Sequence, residues 1–223
     1  MQAVIFAAGK GIRMHPLTDS TPKPLLPVGD TSILEHNLSQ LSGLVDEVIL
    51  VVGYKGEMIE SKFGDSYGDI KIQYVWQNTQ KGTGDAALQA APFLDESCLF
   101  LNGDDLYNKD DIAALLKIFP AIMVAESEHP EDFGVITTKG DRVTELFEKP
   151  ENPASKLVNT GAYHLPSSIL KVSIEKSARG EYEFTDYVKK ILQDSSLFYS
   201  VAEKWFPIAN PESLDAAENF LTR

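Results

Sequence analysis

Short runs of β-branched and aromatic residues alternate with helically spaced segments through the first half of the chain. AVIFA (3–7), EVILVV (47–52), IKIQYVW (70–76) and CLFLN (98–102) are the strands this pattern predicts. Helical spacing follows in SILEHNLSQLSG (32–43), GEMIESKF (56–63), GDAALQAAPFL (84–94) and KDDIAALLKIF (109–119). Strand, helix and strand in turn build a parallel sheet with helices on its faces, because a parallel return needs a long crossover. The expected fold class is therefore α/β: a Rossmann-like mixed, mostly parallel sheet flanked by helices, in a single domain over residues 1–223. Such sheets bind ligands beyond the carboxyl ends of their strands. The first glycine turn, Gly53, Gln77 and Gly103 all fall at or just after those ends.

Past residue 120 the pattern changes. AIMVAES, FGVITT, RVTELFEK and TGAYHL are closely spaced strands with a turn signal at Lys139-Gly140-Asp141, and helical segments return at 183–192 and 211–221. The 120–165 stretch reads as an extension of the same sheet that forms the second wall of a cleft.

The formal net charge is −13, which argues against nucleic acid or an anionic membrane surface as a partner. Yet residues 1–29 hold Lys10, Arg13 and Lys23 against Asp19 alone. A local basic cluster in an acidic protein suits a small, highly charged anion. The one cysteine, Cys98, sits in an apolar run, so no disulfide or thiolate metal site is expected within the chain. No apolar stretch reaches the roughly 20 residues of a membrane helix, and AVIFAAG lacks the basic lead of a signal peptide, so a cytoplasmic location is expected.

Gly9-Lys10-Gly11 follows the first strand and offers a tight turn with free backbone N–H groups for an anion. It is not a dinucleotide fingerprint, because Met14 stands at the third glycine position. It is not a P-loop either, because Gly11 follows Lys10 and Val4 stands at the first glycine position. Arg13 and then Pro22-Lys23-Pro24 complete the segment. Proline after Lys23 is expected to hold that lysine extended and aim its stem.

Together, G-x-G-x-R followed by P-K-P-L-L-P-V resembles the signature of the sugar-1-phosphate nucleotidylyltransferases. This family includes the glucose-1-phosphate thymidylyl- and uridylyltransferases and the N-acetylglucosamine-1-phosphate uridyltransferases. The resemblance recurs in order at Gln77 with Lys81-Gly82-Thr83-Gly84, at Asn102-Gly103-Asp104, at Phe133-Gly134-Val135, at Glu148-Lys149-Pro150 and at Asn159-Thr160-Gly161. It implies a nucleotidyltransferase (GT-A-like) fold, with residues 1–119 as the nucleotide-binding half and 120–223 as the sugar-phosphate-binding half. The implied reaction moves a nucleotidyl group from UTP or dTTP to a hexose 1-phosphate and releases pyrophosphate, with Mg2+ as cofactor.

By the same resemblance Arg13, Lys23 and Asp104 are catalytic, and Asp104 is the metal ligand. Ala8, Gly9, Gly11, Arg13, Lys23, Gln77, Gly82, Thr83 and Gly103 bind the nucleotide. Gly134, Glu148, Lys149 and Asn159 bind the sugar phosphate. The residues support this independently. In-line displacement at phosphorus asks for positioning and charge stabilisation. The sugar phosphate arrives ionised, so no general base is required, and His15, His36, His129 and His164 are scattered. A carboxamide at Gln77 offers a donor and an acceptor to a pyrimidine imide edge. Asp104 and Asp105 supply hard oxygen at a strand end, although acidic residues and Asn108 also suit the start of the following helix. ARGEYEFTD (178–186) resembles a family segment without a role that its residues declare.

One departure stands out. Many relatives carry an aspartate, a second metal ligand, where Pro207 stands here, and glycine-threonine where Ala209-Asn210 stand. Asp104 alone, Asp105 or Asn210 in its place, or lapsed catalysis would each account for it. A phosphocholine-type cytidylyltransferase and a lapsed nucleotide-sugar-binding regulator are the competing readings. No hexapeptide-repeat tail is present, so the acyltransfer of bifunctional relatives is not expected.

Overall fold

The computed structural model describes residues 1–177 and 179–221. In chain order the first half holds β1 (Gln2–Ala7), β2 (Pro27–Val28), β3 (Thr31–Ser32), α1 (Ile33–Leu41), β4 (Glu47–Val52), α2 (Gly56–Phe63), β5 (Ser66–Tyr67), β6 (Ile70–Trp76), α3 (Thr83–Ala90) and β7 (Ser97–Asn102). Then come β8 (Asp105–Leu106), α4 (Lys109–Leu115), β9 (Ala121–Glu126), β10 (Gly134–Lys139), β11 (Arg142–Glu148), β12 (Leu157–Pro166), α5 (Phe184–Asp194), β13 (Leu197–Val201), β14 (Phe206–Pro207) and α6 (Pro211–Leu221). Helix α3 stops at Ala90, short of the sequence expectation, because Pro92 cannot donate into the ladder and the chain tightens into a 3-10 turn over Ala91–Phe93.

Ten strands form one mixed sheet in the order β10-β11-β13-β9-β12-β7-β1-β4-β6-β5. Its first-half core, β7-β1-β4-β6, is parallel, as the alternating pattern predicts. The sheet as a whole is largely antiparallel, with six antiparallel pairings against four parallel ones, which corrects the mostly parallel expectation. The cause lies in the closely spaced strands after residue 120. β10 and β11 are joined by two residues, and so short a link can only return the chain antiparallel. β12 then inserts antiparallel between β7 and β9.

Successive residues of β1 point to opposite faces. Val4 and Phe6 join Val51, Phe100 and Phe184 on one face, while Ala3, Ile5 and Ala7 join Leu50, Leu101 and Leu38 on the other. A third, smaller cluster of Met14, Leu26, Val28, Ile33, Leu106, Ile208 and Leu214 lies away from both. It packs the glycine loop, the proline loop and α6 together, so it positions the loops beyond the sheet edge. Among the described residues no helix is long and apolar enough to cross a membrane.

Met14 is fully buried in that third cluster. Met14→Ala is therefore expected to cost about 2–5 kcal/mol of stability, read as a lowered urea midpoint. A loss below about 1 kcal/mol would show that the loops are not held by this packing.

Candidate active site

The carboxyl ends of β1, β4, β6 and β7 deliver the glycine turn, Gly53, Gln77 and Gly103 to one edge of the sheet. Ala8 accepts a hydrogen bond from Tyr54 N at 3.1 Å, and Gly103 N donates to Phe6 O at 3.0 Å, so the strand ends are laced together before the loops diverge. Gly9 and Lys10 are exposed, with open space where a Gly9 side chain would stand. Gly11 takes a left-handed conformation (φ 62°) and presses its Cα face on Lys23 and Thr18, so a side chain there would be strained and crowded. The following 3-10 turn, Ile12–Met14, buries Met14 and leaves Arg13 exposed, without an ion pair to any described residue.

Lys23 does not lie on an extended segment. It opens a 3-10 turn (Lys23–Leu25) in which Leu25 N donates to Pro22 O and Leu26 N to Lys23 O, and Pro22 is the extended residue. The turn carries the lysine stem down under the loop, where the residue is only 5% exposed. Its ammonium donates to Asp104 Oδ2 at 2.7 Å and to the carbonyl of Ile208. A buried ammonium needs such partners. Asp104 keeps a side chain 41% exposed, so its carboxylate stays partly open to solvent while it holds the buried ammonium.

Beside it, β8 pairs with β14, and Asp105 faces Pro207 directly across the two strands. Burial first, and then the Asp104 carboxylate, push the Asp105 carboxyl up to about 8, against the pull of Lys23 and the Ile208 backbone. The half-buried Trp205 indole lies near enough to favour the anion slightly, although its buried Nε1 makes no hydrogen bond of ordinary geometry. The neutral form of Asp105 is thereby favoured, which makes it ill suited to replace a missing carboxylate. Asn108 caps α4 by accepting from Asp110 N at 2.9 Å, the structural role anticipated for it.

Gln77 is 4% exposed. Its Nε2 donates to Gly82 O at 3.0 Å and to Asp85 Oδ2 at 2.7 Å, so both amide protons are held by the protein. The expectation that this carboxamide presents a donor and an acceptor is corrected: only the carbonyl oxygen is free. Gly82 (φ 103°) has no room for a side chain, since a Cβ would stand 2.3 Å from Tyr182 O. Gly84 N bonds that same oxygen and Tyr182 N donates to Lys81 O, which ties the loop to the approach of α5. Thr83 Oγ1 accepts from Phe184 N.

The second-half residues converge separately. Gly134 pairs with Glu148 across β10 and β11, and its bare Cα faces the Glu148 carboxylate and Asn159. Asn159 uses both ends of its amide inside β12, donating to Tyr163 OH and accepting from Gly161 N, which secures an irregularity in that strand. Lys149 sits at φ 46° with its backbone N–H on Phe133 O. Arg179 and Glu183 are the additions. The guanidinium lies 2.9 Å from Glu183 and 3.6 Å from Glu148, and Ser177 also donates to Glu183. The 178–186 resemblance marked this segment without assigning it a role, and Ala178 lies outside the described residues. Contacts between Phe133 and Trp205, and between Gly161 and Asn102, join this group to the Asp104–Asp105 strand end.

Residues 2–223 match the family model described as nucleotidyl transferase. A bifunctional protein GlmU from Methanococcus maripaludis is 38% identical over all of this chain and 55% of its own length. The chain thus spans about half the length of the first of the curated relatives it matches. A UTP–glucose-1-phosphate uridylyltransferase, AglF, from Haloferax volcanii is 34% identical over 99% of this chain and 96% of its own. A solved UDP-glucose pyrophosphorylase superposes with a TM-score of 0.89 at 22% identity, covering 100% of this chain and 99% of that one, a likeness of fold.

A carboxyl raised in the folded state is neutral there at pH values where the unfolded chain has already ionised. Its contribution to stability is therefore lost as pH climbs from the ordinary 3.8 towards about 8. Asp105→Asn, which mimics the neutral form, is expected to melt higher relative to wild type at pH 8 than at pH 5. An equal difference at both values would show that Asp105 is ionised throughout.

Proposed function

We propose that this chain, which belongs to the nucleotidyl transferase family, transfers a nucleotidyl group from UTP or dTTP to a hexose 1-phosphate, either glucose 1-phosphate or N-acetylglucosamine 1-phosphate. The observation that carries the reading is the Lys23–Asp104 pair set against Gly11, with Arg13 exposed on the same loop. A phosphate oxygen of the sugar phosphate attacks the α-phosphorus as the bond to pyrophosphate breaks in line. No proton has to be removed, because the attacking oxygen is already ionised. The glycine turn and Arg13 hold the triphosphate. Lys23, fixed in place before the substrate arrives, supplies positive charge near the α-phosphate with no reorganisation at the moment of transfer.

Gln77 and the Gly82-Thr83 backbone face the base, and the Glu148, Lys149 and Gly134 group faces the sugar phosphate. In this reading Arg179 orients the Glu148 carboxylate, and Asn159 shapes the wall rather than touching the sugar with a free amide. Relatives named for uridylyl transfer support the substrate class.

The residues fit a magnesium ion held mainly by one protein carboxylate. Asp104 has an open carboxylate edge, Pro207 offers no side-chain ligand, and no group of three acidic, His or Cys side chains is placed to cage a metal among the described residues. Mg2+ suits that arrangement because it keeps water and phosphate in its shell. When bound, it would neutralise phosphate charge as the pyrophosphate departs.

A panel of nucleoside triphosphates against glucose 1-phosphate, N-acetylglucosamine 1-phosphate and phosphocholine, followed by pyrophosphate release, tests the reaction. Turnover with a hexose 1-phosphate is expected. Saturation by phosphocholine alone would move the acceptor, and nucleotide-sugar binding without turnover would make the chain a regulator. Within an active enzyme, Lys23→Ala is expected to lower kcat roughly 100-fold, with thermal melting recorded because the substitution also leaves Asp104 unpaired. Undiminished turnover in the folded variant would remove Lys23 from the mechanism. Asp104→Asn should nearly abolish activity, whereas Pro207→Asp should lower the Mg2+ concentration for half-maximal rate. An active Asp104→Asn protein with an unaltered magnesium titration would refute the metal assignment.

A further inference from the structure

We infer that Asp85 is a specificity-determining residue: by fixing which way round the Gln77 carboxamide sits, it restricts the site to bases that present a ring N–H donor. The inference rests on the proposed nucleotide reading of the cleft.

The argument begins with donors and acceptors. Gln77 Nε2 is bracketed by Gly82 O at 3.0 Å and Asp85 Oδ2 at 2.7 Å. A carbonyl and a carboxylate only accept, so the NH2 group must face them; turning the amide over would set its oxygen against two others. The carboxylate bond is the shorter and charge-assisted, and it is the stronger of the two restraints. Both amide protons are therefore occupied, and Gln77 has nothing left to donate. Its Oε1 accepts from no described residue, yet it is not among the buried side-chain atoms left without a partner, so it opens to solvent although the residue is almost wholly buried. Gln77 O, Ala8 and the Gln80 amide crowd the bare Cα of Gly53, which places this glutamine beside the start of the glycine loop.

Uracil and thymine carry an N–H at ring position 3. Cytosine carries a lone pair there. A base seated with position 3 on Gln77 Oε1 forms a hydrogen bond in the first case and sets two lone pairs against each other in the second. Two pyrimidines of the same size are thus told apart by the direction of one amide, and that direction is set by a residue at the third position of α3. Asp85 touches no base in this scheme. It acts through Gln77 and is a positioning residue.

The test compares UTP and CTP binding by calorimetry, with the specificity constants for both, in wild type and in Asp85→Asn. Asparagine can donate as well as accept, so it no longer dictates the Gln77 orientation. The expected result is that wild type prefers UTP and that the UTP-to-CTP ratio falls roughly tenfold or more in the variant, with melting temperature recorded alongside. A purely structural role for Asp85 would weaken both nucleotides equally and leave the ratio unchanged, which overturns the inference. Wild type that binds CTP as well as UTP overturns it without any variant. Discrimination in binding without pyrophosphate release would sink the proposed reaction while leaving the Asp85 inference standing.

Discussion

A single buried ammonium ties together three parts of the chain that are far apart in sequence. Lys23 comes from the proline loop, Asp104 from the end of β7 and Ile208 from the segment before α6, and the three meet at one nitrogen. Taking a lysine out of water is costly unless its donors are satisfied, so the loop, the strand end and the C-terminal segment must arrive together or not at all. The apolar cluster of Met14, Leu26, Leu106, Ile208 and Leu214 surrounds that polar contact and supplies the burial that makes it form. The Lys23–Asp104 ion pair is therefore a product of tertiary packing, present before any anion binds. This is the condition under which a fixed charge contributes most to a transition state.

The sheet explains why the two groups of candidate residues lie close together. Its parallel strands β7, β1, β4 and β6 end together and place Ala8, Gly53, Gln77 and Gly103 on one edge. β12 enters beside β7 in the opposite direction, so its early residues, Asn159 to Gly161, lie near the carboxyl end of β7. The reversal that makes the sheet largely antiparallel is thus the same feature that brings Asn159 to Gly161 against the carboxyl ends of the parallel strands.

Several residues singled out for chemistry are held by the protein itself, and the way they are held changes what they can do. Asn159 has both ends of its amide engaged within its own strand. Gln77 keeps only its acceptor. Thr83 uses its hydroxyl on the first turn of α5. Arg179, by contrast, gathers Glu148 and Glu183 into one charged group, a role that the 178–186 resemblance did not declare. The missing aspartate at Pro207 has a poor substitute in Asp105, because the strand pairing that sets the two face to face also buries the Asp105 carboxyl beside Asp104 and favours its neutral form.

The sequence by itself determined the parallel core and the glycine turn at the end of β1, and its resemblance to a known family carried the class of chemistry. The first two rest on interactions among near neighbours or on the period of apolar residues along the chain. The hydrophobic alternation that marks β9 to β12 as strands is the same whichever way they run. Their direction was decided only when β12 found β7 and a two-residue link joined β10 to β11. The depth of Lys23 and the pairing of Arg179 with Glu148 were likewise decided by tertiary structure, whereas the Gln77 amide is turned by Gly82 and Asp85, five and eight residues on. A side chain's burial and its ionisation depend on which groups from distant parts of the chain come within reach, and that is a property of the packed molecule alone.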